Sequence, residues 1–244
     1  MKKLLKNLIP LVFWLAVWEI AALAVGRELL LPGPVRVGER LLALARTADF
    51  WLSVGATLGR VFLGLAWGAL TGTALAFLTH LSPWADRLAS PAIRVVRATP
   101  VVSFILLVYL WAPRWAIPWV IAGLMVLPVV WGALSAGLGS LDDKLLEFAR
   151  AYRFSRLKTL RLVYLPALRP QFRAGLLTAF GLAWKSGVAA EVICPPTRAV
   201  GSRIQQAKLG LETADLFAWT LAVIALSLAL EGLLRRALER GNRA

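Results

Sequence analysis

Hydrophobic positions in this chain come in unbroken runs, not in the alternation of a half-buried strand or the three-to-four spacing of a surface helix. Residues 61–79 and 115–141 contain no charged residue, and shorter runs lie at 8–25, 98–113, 174–193 and 216–234. The first run holds one acid, Glu19, and the fifth is interrupted by Lys185 and Glu191. About 20 apolar residues carry an α-helix across the hydrocarbon core. The pattern therefore predicts an all-α, polytopic membrane protein with six transmembrane helices at these positions. Barrel strands would be shorter and alternating. No repeat or low-complexity tract divides the chain, so 1–244 reads as a single membrane domain. The opening MKKLLKN and its apolar run lack a small-x-small cleavage site before Gly26, and the run is read as a retained span.

Charge orients the spans. With 17% charged residues the chain is poorer in charge than a soluble domain, and its net charge is +15. In a soluble protein that excess would suggest nucleic acid; in a membrane protein it marks cytoplasmic loops. Placing both termini in the cytoplasm puts eighteen of the 28 Lys and Arg on inner segments and eight on outer ones. The stretches 27–56 and 194–214 are then external, and 142–170 is internal. Trp51, Trp111 and Trp115 fall near one interface and Trp84 near the other, as aromatic belts do. Gly64, Gly68, Gly72 and Ala76 recur every fourth residue, giving the second span a smooth face for close helix contact. His80 marks a helix end. A single cysteine, Cys194, excludes an intramolecular disulfide and offers a labelling probe if its loop is open.

One segment breaks the apolar pattern: LEFARAYRFSRLKTLRLVYLP, residues 146–166, lies between two long runs. Ser140 and Asp143 fit a capping box at its start. Leu145, Phe148, Ala149 and Tyr152 then share one helical face. After a break between Phe154 and Ser155, Ser155 caps a second helix whose face is Leu157, Leu160 and Tyr164. Leu165-Pro166 is expected to turn the chain back towards the bilayer. Two short amphipathic helices at the cytoplasmic surface are predicted, too short to span. Resting on anionic headgroups would satisfy such a pair by itself.

The spacing adds more. Glu147-Phe148-Ala149, three residues, Arg153, nine residues, then Val163-Tyr164-Leu165-Pro166 resembles the EAA signature of ABC importer permeases, E-A-A, three residues, G, nine, I-x-L-P. The stretches LPGPVRVGERLLAL, SVGATLGRVFLGLAWGALTG and GLAWKSGVAAEVI are similar to the nitrate/sulfonate/taurine branch of these binding-protein-dependent permeases. The resemblance covers nearly the whole chain and implies the type I importer permease fold, with 142–166 as the coupling loop that seats in the ATPase subunit. It implies ATPase-coupling roles for Leu145, Glu147, Phe148, Ala149, Tyr152, Arg153, Arg156, Leu165 and Pro166. Two departures stand out: Phe148 replaces the first alanine and Arg153 the glycine. Either Arg153 adopts a strained left-handed turn or the helix break shifts to Phe154 and Ser155.

The chain carries no G-x-x-x-x-G-K-[ST], so nothing in it cradles ATP phosphates. The resemblance then implies a non-enzymatic transport subunit with no cofactor of its own, ATP and Mg being used by a partner ATPase. The implied partners are a second permease copy (or a paired permease), two ABC ATPase subunits at the cytoplasmic face, an external substrate-binding protein and the lipid bilayer, with no nucleic acid. The implied location is the bacterial cytoplasmic (inner) membrane. The expected cargo is a small anionic solute moved by alternating access. A self-sufficient secondary transporter or channel would show an inverted repeat between residues 1–115 and 115–244, and none is visible. A lipid enzyme would cluster His, Asp or Cys at one interface, whereas His80 and Cys194 fall at opposite ones.

Charges inside the spans are the remaining candidates. Lys185 and Glu19 are each the twelfth residue from the cytoplasmic end of their spans, ~16 Å deep at 1.5 Å per residue. A lysine left against lipid costs on the order of 2.5–3.5 kcal/mol or more, so Lys185 must meet protein or water. Two readings are open: a Glu19–Lys185 ion pair joining two helices, or a pathway lysine that attracts an anionic solute. Arg60 and Glu191 share the outer level and are expected to pair. Lys185, Ser186, Glu191, Glu19 and Arg60 form the candidate substrate pathway.

Overall fold

The computed structural model describes residues 2–240, with side chains for 9–142 and 144–239. Every regular element among them is helical. In chain order these are α1 (Lys2–Val25), α2 (Pro34–Ala45), α3 (Ala48–Leu81), α4 (Pro83–Ala98), α5 (Val101–Tyr109), α6 (Ile117–Gly139), α7 (Asp143–Ala151) and α8 (Arg156–Thr159). A π turn (Leu160–Tyr164) then leads into α9 (Leu165–Ile193), followed by α10 (Val200–Leu209) and α11 (Thr213–Arg240).

The core is built on α6, which packs against α3 and α9. Between α3 and α6 the backbones touch. A Cβ on Gly64 would stand 2.6 Å from the Ala122 Cβ, one on Gly68 2.5 Å from the Gly123 carbonyl oxygen, and one on Gly72 2.7 Å from the Leu127 carbonyl oxygen. The smooth face anticipated from the four-residue spacing is thus the helix contact itself, with Ala76 buried at its end. The complement comes from α6: Gly123 leaves room for the Trp67 indole, whose N–H donates to the Trp119 carbonyl at 3.1 Å. On α9, Gly175 lies against Ala133, and the fully buried Phe180 and Trp184 fill the space behind.

Among the described residues, four helices are long and apolar enough to cross a membrane: Ala48–Leu81, Ile117–Gly139, Arg156–Ile193 and Thr213–Glu239. α4 and α5 make a fifth only as a pair bent by 104°. This corrects the expected third span at 98–113. Pro100 disfavours helical backbone at Thr99, whose ψ is 130°, so α4 stops at Ala98 and a new helix starts. At ~1.5 Å per residue the nine residues of α5 reach about 14 Å, half the hydrocarbon core. The first apolar stretch, Ile9–Val25, belongs to α1, which is helical over all 24 residues from Lys2 to Val25. The second span begins far earlier than residue 61, because Thr47 caps α3 by accepting from the Phe50 amide at 3.3 Å.

The expected outer stretches are folded, not extended. α2 is held to the start of α11 by a two-pronged Arg40–Asp215 ion pair, whose second prong is 2.7 Å, and this pairing raises the Arg40 pKa. Phe50 stacks on Trp219 at 4.9 Å, behind the same junction. α1 is attached at few points: the Trp18 indole donates to the Pro32 carbonyl at 3.0 Å and its ring stacks on Phe217. Trp51, Trp84, Trp111 and Trp115 are all exposed, as belt residues should be.

The glycine seam gives a direct test. Gly68→Val should displace α6 from α3 and cost roughly 1–3 kcal/mol or more by overpacking. Gly59→Val, where a Cβ meets nothing within 4 Å, should be close to neutral. Thermal unfolding of the purified permease in detergent would compare the two; equal melting temperatures would refute the seam.

Candidate functional site

Two regions gather the charged and exposed apolar groups, one at each end of the long helix that starts at Arg156. At the first, α7 opens with Asp142, whose carboxylate accepts the Lys144 amide at 2.9 Å. Ser140 is not the cap: its hydroxyl donates back to the Gly137 carbonyl at 3.0 Å. The other half of the expected box, the Asp143 side chain, lies outside the described residues. α7 closes on a paired turn in which the Arg153 amide donates to the Arg150 carbonyl and the Phe154 amide to the Ala149 carbonyl, both at 2.9 Å. This is the Schellman arrangement, and it needs a left-handed residue at Arg153, where φ is +48°. The glycine position of the signature is therefore left-handed here too, at a cost of roughly 1–2 kcal/mol for a residue with a side chain. Ser155 then caps α8, accepting from the Lys158 amide at 3.3 Å.

Along α7, Leu145, Phe148 and Tyr152 are 47%, 51% and 67% exposed, while Ala149 is buried. The Phe148 and Tyr152 rings lie 4.4 Å apart, and Phe154 meets Phe148 edge-on. Lys158 places its ammonium 4.3 Å over the Phe154 ring. Glu147 and Arg156 are exposed beside this aromatic group. Leu165 and Pro166 do not turn the chain. The π turn runs straight into α9, and Arg156–Ile193 forms 38 continuous helical residues. A proline lacks the N–H and crowds the carbonyl four residues back; the widened turn ahead of Pro166 relieves that crowding without ending the helix.

At the far end of α9, Glu191 is fully buried. One carboxylate oxygen takes the Thr57 hydroxyl at 2.8 Å and the Gly201 amide at 3.2 Å, and the other meets the Arg60 guanidinium at 3.0 Å. Thr57 in turn accepts the Val200 amide at 2.9 Å. Gly201 permits this closeness, since a Cβ there would stand 2.5 Å from the Glu191 Cβ. The expected Arg60–Glu191 pair is present, and it belongs to a knot that fastens the start of α10 to α3 and α9. Thr57 and the two amides were missed in the sequence; the one available signal was Thr57 standing three residues before Arg60 on a helix.

Lys185 and Glu19 are not paired. Lys185 is exposed on α9, and no ion pair or hydrogen bond involves it among the described residues. Glu19 faces Gly33, with one buried carboxylate oxygen lacking a partner. Equal depth is not adjacency: α1 rests on α2, and no contact of note joins it to α9. Ser186 is buried and returns its hydroxyl to the Ala183 carbonyl of its own helix. Cys194 is also buried and cannot serve as an accessible probe.

The sequence over residues 64–242 matches the family described as binding-protein-dependent transport system inner membrane component. The taurine transport system permease protein of Escherichia coli K12 is 31% identical over 230 residues, covering 91% of this chain and 82% of its own. The nitrate import permease protein of Synechococcus elongatus is 26% identical, covering 79% and 73%. Among solved structures, a bacterial ABC transporter involved in importing the acidic polysaccharide alginate superposes with a TM-score of 0.69 at 14% identity, over 97% of this chain and 95% of that one.

The buried knot predicts a stability phenotype. Arg60→Met leaves the Glu191 carboxylate buried without its counter-charge, a loss of about 3–5 kcal/mol. Thermal unfolding should show that loss, with partial recovery in Arg60→Lys. A variant of unchanged stability would remove Arg60 from the knot.

Proposed function

The chain belongs to the binding-protein-dependent transport system inner membrane component family, and from that premise we propose how it works as the permease subunit of an ABC importer. α7 and α8 seat in the ATPase subunit. Supporting this is the exposed stripe of Leu145, Phe148 and Tyr152 beside Glu147, an apolar and aromatic surface with nothing of the chain's own over it. Arg156 and Arg153 border that stripe, Ala149 is the buried base of the helix, and Leu165 and Pro166 carry the segment into α9.

Two permease copies, two ATPase subunits and an external binding protein complete the assembly, with both termini in the cytoplasm of a bacterial inner membrane. ATP and Mg are handled by the ATPase partner. ATP closure draws the seated segments together and opens the spans outward; release of ADP and phosphate restores the inward-open state. The cargo is a small oxyanion of the nitrate, sulfonate or taurine kind, by analogy with what the relatives are named for. Lys185 is its pathway residue. An ionised lysine in mid-span meets protein or water, not lipid, and its exposure on a single chain leaves it for the route between two copies.

Two experiments test this. In Glu147→Lys the permease should still insert, while the ATPase fails to co-purify or hydrolyses ATP without uptake; wild-type co-purification and uptake would refute the coupling role. Lys185→Met should keep wild-type stability, because no partner is lost, yet lower oxyanion uptake at least about tenfold, the equivalent of ~1.4 kcal/mol. Lys185→Arg should retain most uptake. Undiminished uptake in Lys185→Met would remove the lysine from the pathway.

A further inference from the structure

We propose that the cavity between the α5–α6 turn and the α9–α10 loop is an oxyanion-binding vestibule, with Arg114 as its charge and the transported solute as its occupant. The proposal rests on the importer reading and extends it to a second site on the same route. The cavity holds about 480 Å³ and is lined by Arg114 and Trp115 of the turn, by the bend from Pro195 to Thr197, and by Ser202 and Gln206 of α10.

Its chemistry is that of donors. Arg114 is the one charged group in the lining. Its guanidinium touches the Tyr109 hydroxyl at 3.3 Å and lies 6.0 Å over that ring, and no carboxylate pairs with it among the described residues. Gln206 has its carbonyl oxygen occupied by Arg203 at 2.9 Å, and Arg203 is itself paired with Asp49, so the amide N–H groups are the free end of Gln206. Thr197 adds a hydroxyl and the exposed Trp115 an indole N–H. The two cavities beside α1 and α2 mix both signs of charge: Glu19, Glu28 and Glu39 with Arg27 and Arg36 in one, and Glu28, Glu212 and Asp215 with Arg36 and Arg40 in the other. A guanidinium offers parallel N–H groups that match two oxygens of a carboxylate, nitrate or sulfonate.

The frame is rigid. The buried Ser202 hydroxyl donates to the Pro196 carbonyl at 2.7 Å and fixes the bend, while Glu191 holds the Gly201 amide one residue earlier. A fixed bend lowers the ordering cost of capture, leaving only the exposed side chains to be ordered. The bend begins just after Ile193, eight residues beyond Lys185, or ~12 Å along the helix at 1.5 Å per residue.

The permease with its co-purified ATPase, in nanodiscs without binding protein, is titrated with methanesulfonate and with nitrate while tryptophan fluorescence is followed. Dimethyl sulfone is the uncharged control. A saturable change is expected with both anions, absent with the sulfone and lost in Trp115→Phe. Arg114→Gln should weaken binding about tenfold, as loss of a charge-assisted hydrogen bond does, and Arg114→Lys should recover most of it. No anion response in the wild type, or equal titrations of wild type and Arg114→Gln, overturns the proposal. So does an Arg114→Gln variant that binds anions normally but docks the binding protein poorly, because the oxyanion is then a carboxylate of that partner. ATP hydrolysis stimulated by the binding protein is measured alongside: its absence from the wild type refutes the importer reading, whereas its presence with an Arg114-independent titration refutes only the vestibule.

Discussion

Backbone contact between α3 and α6 is the constraint on which the remaining packing depends. Inside a bilayer no hydrophobic force drives helices together, because lipid tails are as apolar as leucine; close packing must supply the attraction. Gly64, Gly68 and Gly72 let α3 settle onto the main chain of α6, and Gly123 lets α6 receive Trp67. With those two helices fixed, α9 has one groove available, lined by Ala133 and Gly137, and its Phe180 and Trp184 close the core. Every later contact, including the Glu191 knot and the seat of α10, hangs from that placement of α9.

Polar groups are satisfied very unevenly over this frame. Near the α2 and α10 end, ion pairs tie different helices together: Arg40 with Asp215, Arg60 with Glu191, Arg203 with Asp49. The knot around Glu191 uses a carboxylate to hold two amides at the start of a helix, directly or through Thr57, where negative charge is favoured. Elsewhere Lys185 has no ion pair or hydrogen bond among the described residues, Arg114 meets the Tyr109 hydroxyl and ring but no carboxylate, and the aromatic stripe of α7 is exposed.

Much of this was legible in the sequence because it rests on spacing. The four-residue glycine repeat gave the α3 seam, the Arg60 and Glu191 levels gave their pair, and the amphipathic pattern of 145–164 gave the short helices α7 and α8. Failures came where one dimension stood in for three. Glu19 and Lys185 share a depth, but depth says nothing of which helices are neighbours. Hydropathy merged 98–113 into one span although Pro100 divides it. Pro166 looked like a turn because a proline near a helix start reads as a stop, and a π turn lies too far outside the usual helical repeat to be anticipated. Thr57 escaped because a hydroxyl in an apolar helix ordinarily bonds to its own backbone, as Thr71 and Thr79 do here.

The continuity of the helix from Arg156 to Ile193 joins the α7 turn to the Glu191 knot mechanically. Had Pro166 turned the chain, α7 and α8 would have hung on a loop and a push there would have been absorbed by coil. Instead 38 helical residues, ~57 Å at 1.5 Å each, run from the turn after Arg153 to the Glu191 knot without a break. Packed cores do not deform smoothly, so displacement of such a rod is passed on as movement of the whole element. Lys185 rides on that rod, and through Glu191 so does α10, which carries Gln206 at the Arg114 cavity. The left-handed Arg153 marks where the rod is released from α7. A strained residue at that junction is consistent with a turn whose geometry matters more than its stability, since glycine there would relieve the strain at the expense of a looser joint.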